Sequence, residues 1–180
     1  AAAAAGMSAD LTPATREVVQ ALLDFIGQDG CTDAQFDAMA LRLFTHQYTC
    51  SEPYRRFCQR RGMTPRKVQG WRDIPPVPIN AFKEVTLSCE PVPACERVFM
   101  TSGTTRAEVK GRHWHPTITV WDLSMRRNFA QRFMGGSERL PMAILFPPET
   151  ELGNSSLARY LALGPDASPK ELEELRIRLL

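Results

Sequence analysis

The 180-residue chain has little of what marks whole classes of protein. No apolar run approaches the roughly 18 residues that a membrane-spanning helix needs. No C-x-x-C pair is present, and the five cysteines, Cys31, Cys50, Cys58, Cys89 and Cys95, are an odd number. That pattern predicts free thiols in a reducing, cytoplasmic setting and argues against a zinc site. Histidine is scarce, and His46, His113 and His115 do not have the spacing of an H-E-x-x-H helix, so no metal held by side chains is expected. A net charge of +2 gives no general attraction to nucleic acid or to membranes. A Walker A loop is excluded, because no G-x-x-x-x-G-K-[ST] spacing occurs. The opening AAAAAGMSAD has neither a basic n-region nor a Leu-rich core, so it makes a poor signal peptide. Residues 1–10 are expected to be a flexible start.

What is present suits one globular domain with a real core: 43% of residues are hydrophobic and 23% charged. Thr12-Pro13 is an N-cap followed by proline at the first helical position. Val18, Leu22, Phe25 and Ile26 then recur at helical spacing up to Gly27. Thr32-Asp33-Ala34-Gln35 has the pattern of a capping box, and Phe36, Met39, Ala40, Leu43 and Phe44 form the stripe of a second helix. The two should pack as a hairpin. Ser51 is placed to cap a third, short helix carrying Tyr54, Phe57 and Cys58, with Gly62 as its stop. Residues 11–70 therefore read as a helical region.

Arg55, Arg56, Arg60, Arg61, Arg66 and Lys67 crowd that third segment. They suit either a solvated helix face or a docking patch for an anionic carrier, and no interleaved aromatics suggest base stacking. Between Trp71 and Phe82, Pro75, Pro76 and Pro78 impose an extended path, with Ile74, Val77 and Ile79 expected to face the core.

The chemistry concentrates in Val98 to His113, reading VFMTSGTTRAEVKGRH. A short apolar run empties into Thr101-Ser102-Gly103-Thr104-Thr105, and Lys110, Gly111, Arg112 and His113 follow. A strand that feeds a loop of hydroxyls and glycine is a common way to build a phosphate cradle. Glycine lets the backbone approach the anion, successive N–H groups point at it, and a lysine matches its charge. Such clusters also make ordinary turns. Downstream, residues 116–133 read as a helix with Ile118, Trp121, Met125, Phe129 and Phe133 in a stripe. Met142 to Phe146 is an unbroken apolar run of strand length. Strand 97–101, helix 116–133 and strand 141–146 predict a right-handed βαβ unit, with ligands gathering at the carboxyl ends of its strands. Ser155 or Ser156 is expected to cap a helix running to Leu163. Another capping box, Ser168-Pro169-Lys170-Glu171, opens a helix with Leu172, Leu175 and Leu179 on one face, which wants a partner.

TSGTT followed by Lys110-Gly111 resembles the phosphate-binding signature of adenylate-forming enzymes. Upstream, Trp71-Arg72-Asp73-Ile74-Pro75-Pro76-Val77-Pro78 leads to Ala81-Phe82-Lys83. Downstream, Arg112-His113 ends the loop, and Pro147-Pro148-Glu149 precedes Asn154-Ser155-Ser156-Leu157. Together, over about residues 48–160, these stretches resemble the acyl-protein synthetase family of bacterial bioluminescence, whose members activate long-chain fatty acids. The resemblance implies an α/β fold: a helical N-terminal segment, then, over residues 71–180, part of an adenylate-forming domain. It implies ATP and Mg²⁺ as cofactors, and the chain as the N-terminal portion of a larger enzyme. The substrate would be a carboxylic acid and the acceptor a thiol, on a carrier protein or on coenzyme A.

By the same resemblance Thr101, Ser102, Gly103, Thr104, Thr105, Lys110 and Arg112 would bind the nucleotide, with Lys110 and His113 as catalytic candidates. Two positions depart from the pattern: Arg106 stands where glycine is usual, and Glu108 adds a negative charge to the loop. The competing expectation is a non-catalytic interaction module, with a partner or second half docked on Leu172, Leu175 and Leu179.

Overall fold

The structure is a computed structural model that describes residues 11–101, 109–135 and 142–163. These residues form two compact units, one reaching to Val120 and one starting at Trp121.

The first unit begins with three helices: α1 (Pro13–Gly27), α2 (Asp33–Cys50) and α3 (Glu52–Arg60). Their starts follow from local chemistry. The Thr12 hydroxyl accepts the Thr15 N–H, which satisfies one of the donors left over at a helix start, and Pro13 gives up an N–H that had no partner there. At α2 the capping box is reciprocal: Gln35 N–H donates to the Thr32 hydroxyl at 3.2 Å, and Thr32 N–H donates to Gln35 Oε1 at 2.8 Å. The third start differs from the expectation. Ser51 occupies the cap position of α3, but its hydroxyl makes no capping bond and is buried without a hydrogen-bond partner. Gly62, at φ +68°, ends that helix in the left-handed region that glycine enters cheaply.

The core is centred on Phe44, Tyr54, Cys58 and Val68, with Phe44 and Cys58 fully enclosed. Phe44 and Tyr54 meet edge to face at 6.1 Å, which suits the ring quadrupoles. Burying a side chain of Phe44's size stabilises by about 1.5–3 kcal/mol relative to leaving it in water. The proline-rich strap lies against this core. Ile74 and Val77 pack on it, and the Tyr54 hydroxyl donates to the Pro75 carbonyl at 3.2 Å. Ile79 does not follow them: it is 74% exposed. It stands between Pro78 and Asn80, where the chain turns through the Ala81 N–H to Pro78 carbonyl bond into the four-residue helix α4 (Ala81–Glu84). The extended path that carries Ile74 and Val77 against the core ends at that turn.

Beyond α4 come strands β1 (Arg97–Met100) and β2 (Arg112–His115), paired antiparallel with Val98 opposite Trp114 and Phe99 opposite His113. The fold is mixed α and β as expected, but the pairing corrects the expected βαβ unit. Residues 142–146 join no ladder among the described residues. β1 pairs with the nearest segment that can reach it. The loop entropy of a short hairpin is lower than that of a parallel crossover through a whole helix.

The second unit holds α5 (Thr119–Arg132, its first two residues in the first unit) and α6 (Ser156–Ala162). Of the two candidate caps for α6 the structure uses Ser155, whose hydroxyl accepts the Ala158 N–H at 3.2 Å. The α5 stripe is only partly buried. Phe129 is enclosed and stacks on Phe133 at 5.0 Å, while Phe133 itself is 61% exposed. Residues 1–10 and the segment carrying Leu172, Leu175 and Leu179 lie outside the described residues.

Candidate functional site

The predicted phosphate loop is the connection between β1 and β2, and its base is clasped twice. Thr101 N–H donates to the Gly111 carbonyl at 3.0 Å, and Gly111 N–H donates to the Thr101 hydroxyl, also at 3.0 Å. Gly111 is buried because the chain passes close to its neighbours. A methyl group placed there would meet Thr101 Cγ2 at 3.2 Å and Phe82 Cβ at 3.5 Å. Ser102, Gly103, Thr104 and Thr105 lie outside the described residues, as do Arg106 and Glu108. Thr101, Lys110 and Arg112 are described and exposed. The clasp already uses the Thr101 N–H, so this residue has only its hydroxyl proton left to donate to an anion. Lys110 and Arg112 flank Gly111 at the loop's exit, where two cations suit a polyanion.

His113, the fourth described candidate, is exposed as well, but its ring packs among other rings. Its ring lies 5.4 Å from that of Phe82 and 4.2 Å from that of His115, and the His115 ring lies 5.0 Å from that of Phe99. Burial lowers the proton affinity of His113. It takes His115 down to about 4, with the neighbouring His113 adding to the effect. Both rings are therefore neutral at pH 7. His113 can serve there as a hydrogen-bonding or proton-accepting group, but not as a cation for phosphate.

Both histidines line a cavity of about 330 Å³ within the first unit. Val18, Val19 and Leu22 of α1, Leu43 of α2, and Val77, Phe82 and Leu87 give it a largely apolar wall. Polar groups enter at a few points: Thr15, His46, Ser51, Ser88 and Cys89. An apolar hollow with a few converging polar groups is the ordinary form of a small-molecule site.

One side of this cavity carries a cluster that spacing did not reveal. His46 and Cys50 share a face of α2 at i and i+4, and Cys89 arrives from the segment after α4. Their ligand-type atoms all lie within 4.8 Å of one another, with His46 Nδ1 3.6 Å from Cys50 Sγ. Burial raises the Cys50 thiol pKa and pushes that of Cys89 up to about 12, the nearness of Cys50 adding to the rise at Cys89. His46 is lowered by burial, against the pull of Glu90.

Glu90 is 5% exposed. Its own burial would raise its pKa, but hydrogen bonds from Thr12 and Thr15, together with the nearness of His46, bring it below the usual carboxylate value. The Thr12 hydroxyl donates to Glu90 Oε1 at 2.6 Å, and Thr12 N–H donates to the same oxygen at 3.1 Å. The carboxylate thereby ties the start of α1 to the segment that carries Cys89. The sequence signal for this cluster was limited to the i, i+4 pair, since its third member is 39 residues further on.

The family model described as acyl-protein synthetase, LuxE, matches residues 28–138, more than half of the chain. The match spans the core, the strap, both strands and the loop between them. Neither the curated proteins nor the solved structures yield a match.

Proposed function

The chain belongs to the acyl-protein synthetase family, and on that premise we propose that it serves the ATP-dependent activation of a fatty acid. The product is an acyl-adenylate, whose acyl group then passes to a thiol on a protein or on coenzyme A. The observation that carries this reading is the clasped hairpin. Thr101 and Gly111 close a hydroxyl- and glycine-rich loop at its base, and two exposed cations stand at its exit.

ATP would be held at that loop by the hydroxyls and N–H groups of Ser102 to Thr105, by the Thr101 hydroxyl, and by Lys110 and Arg112. Mg²⁺ would come with the nucleotide, held on its phosphate oxygens. In the first step a carboxylate oxygen forms a bond to the α-phosphorus and pyrophosphate leaves. In the second, a thiolate takes the acyl group and AMP leaves. Lys110 and Arg112 lower the barrier of the first step by meeting negative charge as it moves onto the leaving oxygens. Fixed cations do this without reorganising. The loop base fixes where they stand, which matters because phosphoryl chemistry rests on positioning and charge. The largely apolar cavity beside His113 offers cover for an alkyl chain, and the neutral imidazole contributes no competing charge there.

The test is carboxylate-dependent ATP–pyrophosphate exchange by the protein, with octanoate and myristate as acids. Replacing Lys110 and Ser102 together by alanine should lower exchange by about 10²–10³-fold, the scale for removing transition-state charge donors. Exchange that is undiminished in this double variant overturns the reading.

A further inference from the structure

We propose that His46, Cys50 and Cys89 bind a zinc ion through His46 Nδ1 and the two thiolate sulfurs, with the fourth position open to the cavity. The geometry argues for this first. A tetrahedral ion with Zn–S near 2.3 Å and Zn–N near 2.0–2.1 Å requires a nitrogen-to-sulfur edge of about 3.5 Å. His46 Nδ1 and Cys50 Sγ are 3.6 Å apart, and one ligand atom from each of His46, Cys50 and Cys89 lies within 4.8 Å of the other two. The helix supplies the first two ligands in register, since residues four apart lie one above the other on a helix face.

The surroundings argue for it independently. A histidine that ligates zinc through one ring nitrogen generally donates its other N–H to an oxygen, which fixes tautomer and orientation. Here His46 Nε2 faces the Thr15 hydroxyl at 3.5 Å, the long limit of a hydrogen bond, and the Thr15 hydroxyl lies 3.0 Å from that of Thr12, which donates to the Glu90 carboxylate at 2.6 Å. That chain leads from a buried carboxylate to the ring and leaves Nδ1 facing the sulfurs. Two thiolates and a neutral imidazole make an uncharged site with Zn²⁺, which a half-buried position accommodates. Loading releases two protons, one from each thiol, so the charges balance. His46 and Cys89 also line the cavity, so water or a substrate oxygen arriving there can complete the tetrahedron. Three protein ligands with one open position is the form of a catalytic or substrate-binding zinc centre, as distinct from the closed four-ligand structural kind.

The site is tested by metal analysis of the protein purified under reducing conditions and dialysed against Zn²⁺, and by replacing zinc with Co²⁺. The expected content is about one zinc per chain. The cobalt form should show thiolate-to-metal charge-transfer absorption and the intense visible bands of a tetrahedral centre, both abolished by added zinc. Cys89→Ser and His46→Gln should each lose at least about tenfold in zinc affinity, while Cys31→Ser, at an exposed thiol outside the cluster, should bind as the unchanged chain does. Where Cys89→Ser fails to fold, the cobalt spectrum of the unchanged chain still decides. The proposal is overturned by a protein that takes up no zinc, by a cobalt spectrum without a thiolate band, or by zinc retained in a Cys50→Ser/Cys89→Ser double variant. A Cys50–Cys89 disulfide in protein kept from oxidants overturns it as well.

Discussion

Thr101 and Gly111 hold each other by two 3.0 Å hydrogen bonds, one from each backbone N–H, and so pin the ends of the loop between β1 and β2. Gly111→Ala puts a methyl against Thr101 Cγ2 at 3.2 Å and Phe82 Cβ at 3.5 Å. Neither neighbour is the free end of a long side chain, so the hairpin must open slightly to admit it. The expected cost is about 1–3 kcal/mol in urea unfolding, as for other overpacked sites. Exchange activity should fall further than that loss of stability explains. Thr101→Val keeps the shape and removes the hydroxyl, so it should cost about 1 kcal/mol. A Gly111→Ala protein as stable and as active as the unchanged chain would show that the clasp does not set the loop.

His113 and His115 make the first unit sensitive to mild acid. Burial lowers both, and His115 titrates near pH 4 in the folded chain against about 6.5 when unfolded. Between those values the unfolded chain binds the extra proton. Stability is therefore complete above pH 6.5 and declines as the pH falls toward 4. From pH 7 to pH 5 the loss attributable to His115 should be about 1–2 kcal/mol, read from urea midpoints at the two pH values. His115→Asn should flatten that slope. An unchanged slope in the variant would place the titration elsewhere.

Much of the helical framework was legible because it is written in neighbouring residues. Thr12, Thr32 and Ser155 cap the helices whose starts they were expected to mark. Ser51 shows the limit of that logic: the residue type is right for a cap, but its hydroxyl is buried without capping the helix. Ile79 and Phe133 are the same lesson for hydrophobic stripes, since a turn and a helix end carry them out of the periodic face. The pairing of β1 was not legible, because an apolar run such as Met142–Phe146 states that it prefers cover but not which strand it joins. The two clusters differ in the same way. Lys110, Gly111 and Arg112 follow one another in the chain, so their nearness is plain from the sequence, whereas the approach of Cys89 to His46 and Cys50 depends on how the segment after α4 packs on α1 and α2.

The Tyr54 hydroxyl attaches the middle of the proline-rich strap to the core through the Pro75 carbonyl at 3.2 Å, while the strap's start is tied by the Trp71 N–H to Asp37 Oδ1 at 2.6 Å. Tyr54→Phe leaves the ring contacts with Phe44 and Phe57 in place and removes only that donor. The expected loss is about 1 kcal/mol, with a larger rise in hydrogen exchange around residues 74–78 than elsewhere in the first unit. Equal protection of the strap in both proteins would mean that the packing of Ile74 and Val77 and the Trp71–Asp37 bond hold it without Tyr54.

In the second unit, Arg159 of α6 joins two carboxylates that the sequence places far apart. Its Nε and Nη2 donate to Asp122 of α5, and its Nη1 donates to Glu149 at 3.1 Å. The side chains of Arg159 and Asp122 are 20% exposed and that of Glu149 is 18% exposed, so screening by water is limited but not lost. Arg159→Met keeps most of the apolar stem and removes the charge that the two acids share. Breaking an enclosed ion pair by removing one partner costs about 3–5 kcal/mol, and the residual exposure here puts the expected loss at about 2–3 kcal/mol. The measurement is thermal unfolding at pH 7 followed by far-ultraviolet dichroism. Adding Asp122→Asn and Glu149→Gln to Arg159→Met should recover part of the loss, because no uncompensated charge is then left behind. If instead the triple variant is less stable than Arg159→Met, hydrogen-bond geometry holds α6 to α5, and not the charge of the two acids.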